Sequence, residues 1–389
     1  MCPSLSNSPC RYQPACPGCP RFGQDGIAPA PQHALEDLAL AWSYHSPQIH
    51  SLPGHGYRHR VRLSVRGKPG NARIGLFEAR SHRLVHIPNC PVHHPEIQKF
   101  LQVLIPLLNT HQISPYDETR HSGILRGVQL AVSPLTQKLQ VVFQVRDSLE
   151  RNNRMNRVFF GVVESLQHSL PIHSLWFSAL PQRSNSLAGD RYEHIAGEEF
   201  LKDRCALSNV YYPPDAFGQA NPVLHNQVVE QIHQLVSPRS RVVEYYAGVG
   251  TIGLGLVQKG HEVLFNEIGP GSLSGLKRGL ADLNLVEGST GPRPSTILPG
   301  TAGQYAQSYL TTDTVIVDPP RKGLDPELFI RLRDTPPQKL IYLSCGQASL
   351  LRECDEWAKS GVMKMTHLSA WTYFPYTNHV ETLVVLERA

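Results

Sequence analysis

At 389 residues, 41% apolar and 18% charged, with 30 Gly and 32 Pro, the chain is long enough for two or three domains, and wholesale disorder or collagen is excluded. The net charge of +5 sits at the start: residues 1–120 hold 12 Lys/Arg against 7 Asp/Glu, and the remainder 25 against 25. A polyanion partner is therefore suggested for the first third, although charge alone does not decide it. The longest near-apolar stretch, Leu101 to Leu108, is far short of the ~18 residues a membrane helix needs, and no basic-then-apolar secretory signal opens the chain. A soluble, cytoplasmic protein with no membrane partner is expected.

In chain order, the segment from Cys2 to Gln32 is rich in Pro, Gly and Cys and has neither helical nor strand period, so it needs something to hold it. Four of the eight cysteines fall within the first 19 residues. Without a secretory signal a disulfide framework is the poorer reading, and metal binding or catalysis the better. The specific signal is Cys10-x5-Cys16-x2-Cys19-x70-Cys90, with Cys2 left outside the set. Four thiolates suit either tetrahedral zinc or an iron-sulfur cluster, and spacing alone does not separate them. Either would pin the start of the chain to the region that follows.

Residues Ala34 to Trp42 read as a short helix. Next, Arg58, Arg60, Arg62, Ser64 and Arg66 alternate with Val61, Leu63 and Val65, which predicts a half-buried strand whose exposed side is basic. That side suits nucleic-acid phosphates, or is simply a solvated face. Leu139 to Val145 reads as another strand, and the region before residue 205 as β-rich with few long helices.

From Asn221 onward strands alternate with helices, the pattern of a parallel sheet. Strands are expected at Arg241 to Tyr245, Glu262 to Asn266, Thr314 to Val317, Leu340 to Ser344 and Thr382 to Leu386. Ligands of open α/β sheets collect beyond the carboxyl ends of parallel strands. The residues found there are Tyr246 with its glycine loop, Glu267, Asp318 and Cys345. Gly248, Gly250 and Gly253 form a GxGxxG between strand and helix; with Glu267 it fits an adenosine cofactor whose ribose meets a carboxylate, NAD included. Asp318-Pro319-Pro320-Arg321-Lys322-Gly323 narrows this, because two prolines fix extended backbone with few donors beside the ligand edge. S-adenosylmethionine methyltransferases commonly carry such a turn, and a dinucleotide enzyme has no evident use for it. Cys345 precedes a helix expected over Ala348 to Trp357, whose amino end favours thiolate over thiol, while Cys354 within that helix reads as packing.

The runs VVEYYAGVGTIGL, FNE, VDPPRKGLDPEL, IYLSCGQASLLRE and FPYTNHVETLVVLER, with FGQANP upstream, resemble the RNA uracil-C5 methyltransferases that make 5-methyluridine in ribosomal and transfer RNA. The resemblance spans roughly residues 10 to 387. It implies an α/β protein: a class I, Rossmann-like methyltransferase domain plus a β-rich N-terminal domain carrying an iron-sulfur cluster. It assigns Gln219, Tyr246, Thr251, Glu267 and Asp318, beside Gly248 and Gly250 of the loop, to S-adenosyl-L-methionine. Cys345 becomes the nucleophile and Glu381 the base. Family members share the cysteine spacing and hold a [4Fe-4S] cluster, which favours a cluster over zinc at Cys10, Cys16, Cys19 and Cys90.

The chemistry asks for such residues independently. C5 of uracil is too weak a nucleophile to attack a sulfonium methyl, and addition of a thiolate to C6 converts it into an enolate carbon. A base must then remove the C5 proton. Glu381 stands before a last strand that runs antiparallel in this fold, so its end meets the carboxyl ends of the others. His379 reads as structural.

The sequence departs from the family at Thr301, where an acidic or amide residue often meets the adenine, at Thr251 and Gly346, where Asn is frequent, and at Thr372, where Asp commonly stands. No oligonucleotide-binding barrel is read ahead of Cys10, so RNA is expected on Arg58, Arg60 and Arg62 and the catalytic face, with Phe217 or Tyr373 stacking on a flipped or looped-out uridine. The expected division is 1–205, iron-sulfur and RNA-contacting, and 206–389, catalytic, with residues 31–50 allowed to dock on the latter. The expectation is a monomeric enzyme acting on 23S ribosomal RNA. The alternatives are a transfer RNA enzyme, a catalytically idle RNA-binding or assembly factor with this fold, and an enzyme of another cofactor.

Overall fold

The computed structural model describes residues 10–149, 153–183, 187, 189, 191–283 and 295–389; Cys2 lies outside them. The chain divides into two compact units, one of residues 1–24, 54–202 and 218–221, the other of 25–53, 203–217 and 222–389. Each unit is thus assembled from stretches far apart in the chain. No helix among the described residues is long and apolar enough to cross a membrane.

The first unit holds a sheet of seven strands in the order Leu84–His86, Asn71–Phe77, Arg60–Lys68, Leu125–Val132, Leu139–Val145, Ile172–Ala179, Arg191–Gly197. Only the 139–145 and 172–179 strands pair in parallel, and the helix Arg154–Ser169 makes the crossover such a pair requires. This helix and Pro95–Thr110, each 16 residues long, are the two long helices described in this unit. The near-apolar run from Leu101 lies inside the 95–110 helix, whose Ile97, Phe100, Leu101, Leu104 and Leu108 are buried at spacings of three and four. Rings of Phe100, Phe143, Phe159 and Phe177 meet with centroids 5.4 to 6.4 Å apart.

The basic strand forms, but its charged side is largely occupied. Ser64 is buried, Arg66 is held by Glu118 and by the carbonyls of Val65 and Arg126, and Arg62 donates to Gln129 at 2.6 Å. Arg58 precedes the strand and bridges to His93. Partners distant in sequence, from a neighbouring strand and from the turn at Glu118, are invisible to a two-residue period and account for the difference.

The second unit is built on an eight-stranded sheet ordered Gln48–His50, Met363–Trp371, Glu381–Arg388, Lys339–Ser344, Thr314–Val317, Arg241–Tyr245, Glu262–Glu267, Thr296–Pro299. The last five are parallel, 381–388 runs antiparallel to both its neighbours 339–344 and 363–371, and 48–50 pairs in parallel with 363–371. The central strands are buried nearly throughout, as a parallel sheet covered on both faces requires. Residues 29–41 form one helix, longer than the expected 34–42 because Pro29 and Pro31 start it where no amide donor is needed. Its Leu35, Leu38 and Ala39 join the core that holds Trp357 and Leu350 of the helix Gln347–Ser360, and Gln347 donates to the Pro31 carbonyl at 2.9 Å.

Candidate active site

The 241–245 strand delivers the chain to a loop in left-handed backbone: Tyr246 has φ 61°, Gly248 59° and Gly250 84°. A non-glycine residue pays steric strain there. Tyr246 is held in place because its hydroxyl accepts from the Asp325 amide at 2.9 Å. Gly250 could not be replaced cheaply, since an added Cβ would lie 2.7 Å from Leu276 and 2.9 Å from Leu254. Glu267, ending the next strand, fastens the same loop. One of its oxygens accepts from Gly248 at 2.8 Å, the other from Ile268 and Gly269 at 2.9 and 2.6 Å.

Beyond the buried 314–317 strand, burial pushes the Asp318 carboxyl up to about 7. Gly323 closes the turn that follows, at φ 93°, with an added Cβ placed 2.2 Å from the Glu353 carboxylate. Glu353 clamps this turn by accepting from Leu324 at 3.2 Å and from the Tyr342 hydroxyl at 2.8 Å. Gly346 also answers to close approach: a Cβ there would sit 2.4 Å from the Arg321 carbonyl.

Cys345 follows the 339–344 strand, and its S–H donates to the Pro319 carbonyl at 3.8 Å. The expected thiolate is not what the surroundings favour. Burial first, then Glu381 and Asp318, push the Cys345 thiol up to about 11 against the opposing charge of Arg321. A helix end contributes only ~0.3–1 kcal/mol, which two neighbouring carboxyls and desolvation outweigh.

Ser344 pairs with Thr382 in the antiparallel ladder, so Cys345 and Glu381 are the next residues on adjoining strand ends. Glu381 is buried and its Oε2 has no hydrogen-bond partner. Burial and Asp318 raise its carboxyl to about 8, again against Arg321. The site is thus a thiol and two carboxyls, each holding its proton more tightly than usual, with the Arg321 guanidinium acting in the opposite direction on Cys345 and Glu381.

One of the expected roles is displaced. Tyr373 is wholly buried, so it cannot stack on a base, whereas Phe217 is 73% exposed. Gln219 belongs to the first unit, where the backbone of neighbouring Ala220 accepts from His59. Sequence reading missed His225, whose ring joins Tyr373 to Thr251, and Glu353; neither carries a local pattern, since their partners lie 11 to 148 positions away. At Thr301 the backbone donates to Gln304, which places an amide side chain in that loop.

In the first unit Cys10, Cys16, Cys19 and Cys90 all line one cavity of about 120 Å³, with Arg58 and His93 in its wall. That volume admits several water-sized groups. The Tyr12 hydroxyl accepts from the Asn89 amide at 3.2 Å, which ties the cysteine-bearing loop to the neighbour of Cys90. Burial, then Cys90, push the Cys19 thiol up to about 12, while Arg58 acts in the opposite direction. Among the described residues no three His, Cys, Asp or Glu side chains are set to hold a single metal ion.

The sheet order, a glycine loop after its central strand and polar groups at the neighbouring carboxyl ends define a Rossmann-like methyltransferase. Comparison with known proteins narrows the class. Residues 302–389 match the family model described as tRNA (Uracil-5-)-methyltransferase. The chain is 31% identical over 345 residues to an uncharacterized RNA methyltransferase of Protochlamydia amoebophila, covering 88% of this chain and 89% of that one. It is 30% identical over 345 residues to another from Enterococcus faecalis, covering 85% and 71%. It shares its fold with the tRNA (uracil-54, C5)-methyltransferase of Pyrococcus abyssi, crystallised with S-adenosyl-L-homocysteine, at a TM-score of 0.73 and 22% identity over 91% of this chain and 81% of that one. The chain belongs to the RNA methyltransferase family.

Proposed function

We propose that this enzyme methylates C5 of uracil in RNA to give 5-methyluridine, with S-adenosyl-L-methionine as methyl donor and covalent addition of Cys345 to C6. The observation that carries the reading is the Ser344–Thr382 pairing, which brings the Cys345 thiol and the unpartnered Glu381 carboxyl to adjoining strand ends beside Asp318. When bound, the cofactor supplies an electrophilic methyl group on a positively charged sulfonium. Cys345 adds to C6 as its thiolate, the electron pair moves to make C5 nucleophilic, and C5 takes the methyl group as the sulfonium–methyl bond breaks to leave a neutral thioether. Glu381 then removes the C5 proton and the C6–S bond breaks. Their protein surroundings raise the proton affinity of both groups. Arg321 favours their ionised forms, as does any positive charge brought beside them.

Tyr246, Gly248, Gly250, Thr251, Glu267 and Asp318 are the proposed cofactor cradle. The glycines allow close approach, and Glu267, already fixed by three amides, keeps lone pairs for ribose hydroxyls. Gln219 has the same role on the family resemblance alone. For the four thiols we propose a [4Fe-4S] cluster with a structural role, since four cysteines at the spacing the resembled family shares line one cavity. The protein acts as a cytoplasmic monomer, and the cluster-bearing architecture resembles enzymes of 23S ribosomal RNA. Transfer RNA is the second reading, favoured by the matched family model and the Pyrococcus enzyme.

Mass-spectrometric mapping of 5-methyluridine in ribosomal and transfer RNA from cells lacking the protein tests activity and target together. Loss of one site in either RNA is expected, and an unchanged map overturns the reading.

A further inference from the structure

His225 is buried in the first turns of the helix Pro222–Leu235 and lies outside the proposed chemistry. Its Nδ1 is 2.9 Å from the Tyr373 hydroxyl and its Nε2 is 3.1 Å from the Thr251 hydroxyl. Thr251 belongs to the loop proposed for the cofactor. Tyr373 lies in the connection between the 363–371 and 381–388 strands, within the fields of Glu381 and Asp318. A chain of hydrogen bonds thus runs from the cofactor loop to the wall of the base pocket.

We propose that His225 is a positioning residue whose two neutral tautomers couple the cofactor loop to the Glu381 pocket, the chain Thr251–His225–Tyr373 reversing its direction when the cofactor binds. Burial keeps the imidazole neutral by lowering its affinity for a proton, so one ring nitrogen donates and the other accepts. Each hydroxyl can do either. Only two complete arrangements exist. In the first, Thr251 donates to Nε2 and Nδ1–H donates to Tyr373, which leaves the tyrosine hydrogen to turn toward the negative side of its surroundings. In the second, Tyr373 donates to Nδ1 and Nε2–H donates to Thr251, which leaves the threonine hydrogen for an acceptor beyond the loop.

A carboxylate or hydroxyl acceptor of the amino-acid or ribose part of the cofactor, meeting Thr251, selects the second arrangement. The tyrosine hydrogen is then withdrawn from the fields of Glu381 and Asp318, and those carboxyls become more basic at the moment a methyl group is at hand. No net charge moves and no bond between heavy atoms changes. A histidine that merely ties the helix to the sheet needs one fixed tautomer, and nothing at the cofactor loop would alter it.

This inference rests on the proposed cofactor reading, and the experiment separates the two. The full-length protein, labelled with nitrogen-15 at histidine, is titrated with S-adenosyl-L-homocysteine, and the ring-nitrogen shifts of His225 report its tautomer. In parallel, affinity for the same compound is measured for Thr251→Val, Tyr373→Phe and the double variant. We expect the tautomer to switch on saturation. We also expect Tyr373→Phe to weaken binding by about threefold to tenfold, and the double variant to lose less than the product of the single effects. Failure of the wild type to bind overturns the cofactor reading and the relay with it. Binding with an unchanged tautomer, or with multiplicative losses, overturns the relay alone.

Discussion

Both units bury cysteine thiols, and in both burial holds the proton on sulfur, yet the neighbours differ. Around Cys16, Cys19 and Cys90 the charges in reach are other cysteines and Arg58, and backbone amides of Gly18, Val92 and His93 point at the sulfurs. Around Cys345 they are two carboxyls, which themselves hold protons near neutrality, and Arg321. Thiols that bind a metal lose their protons once and for all, and the metal supplies the charge. A transient nucleophile must release and regain its proton each turnover, so a group that titrates near neutral pH beside it is of use. The contrast teaches that burial says little about a cysteine until its neighbours are named.

The largest effect that bears on this contrast is covalent. Cys345→Ala should form no adduct with target RNA, whereas Glu381→Gln should slow turnover by ~10²–10⁴-fold while accumulating a protein–RNA band that survives denaturing electrophoresis. RNA containing 5-fluorouridine should trap the wild type in the same way. If neither gives a band with RNA shown to bind, the covalent route fails.

Cysteine replacement in the other unit should read out differently. Cys16→Ser or Cys90→Ser should abolish a broad absorbance near ~400 nm that aerobically purified protein is expected to show, and Arg58→Ala should weaken it. Colourless wild type with stoichiometric zinc would replace the cluster by an ion.

The carboxyl beside Cys345 gives a smaller, pH-dependent effect. Its folded value of about 8 lies above the ordinary 4.5, so native Glu381 favours the protonated form. The stability this contributes is complete below the ordinary value and is lost as pH rises through about 8. Glu381→Gln, which cannot ionise, should therefore gain on the wild type between pH ~5 and ~9, by on the order of a few kcal/mol, seen as a widening gap in Tm. A gap that is constant with pH would mean the carboxyl is hydrated in the native protein.

The smallest effect concerns RNA affinity. With Arg66 held by Glu118 and Arg58 at the thiol cavity, the remaining candidates are Arg60 and Arg62. The Arg60→Ala, Arg62→Ala pair should flatten the dependence of log affinity on log salt by up to ~0.7–0.9 per contact. An unchanged slope assigns that face to packing and solvent.

The catalytic unit was legible because its polar groups sit at the ends of short, mostly apolar runs, such as TVIV before Asp318 and LIYLS before Cys345. In a parallel sheet that position alone selects them. Helix 95–110 and the capture of Arg66 were not legible: the first was masked by Pro106 within an apolar run, the second needs Glu118, distant in sequence. Tyr373 was misread for a related reason. The sequence YFPY, residues 373–376, marks an aromatic loop without telling which ring faces inward, and the partner that draws Tyr373 in is His225, 148 positions earlier.

The edge strand Gln48–His50 pairs with Ser369 to Trp371, its His50 ring stacked on Trp371 at 3.9 Å. These partners are more than 300 residues apart and are made at widely separated times. During synthesis this strand emerges with nothing to pair with until the 363–371 strand leaves the ribosome, and the helix 29–41 waits for the 347–360 helix, so the catalytic sheet closes late and across a large loop, a slow kind of contact to form. A stalled or truncated chain would present an unpaired strand and the apolar face of that helix together. Chaperone binding to nascent chains ending before residue 363, released once the last strands are added, is the expected signature of this long-range seam.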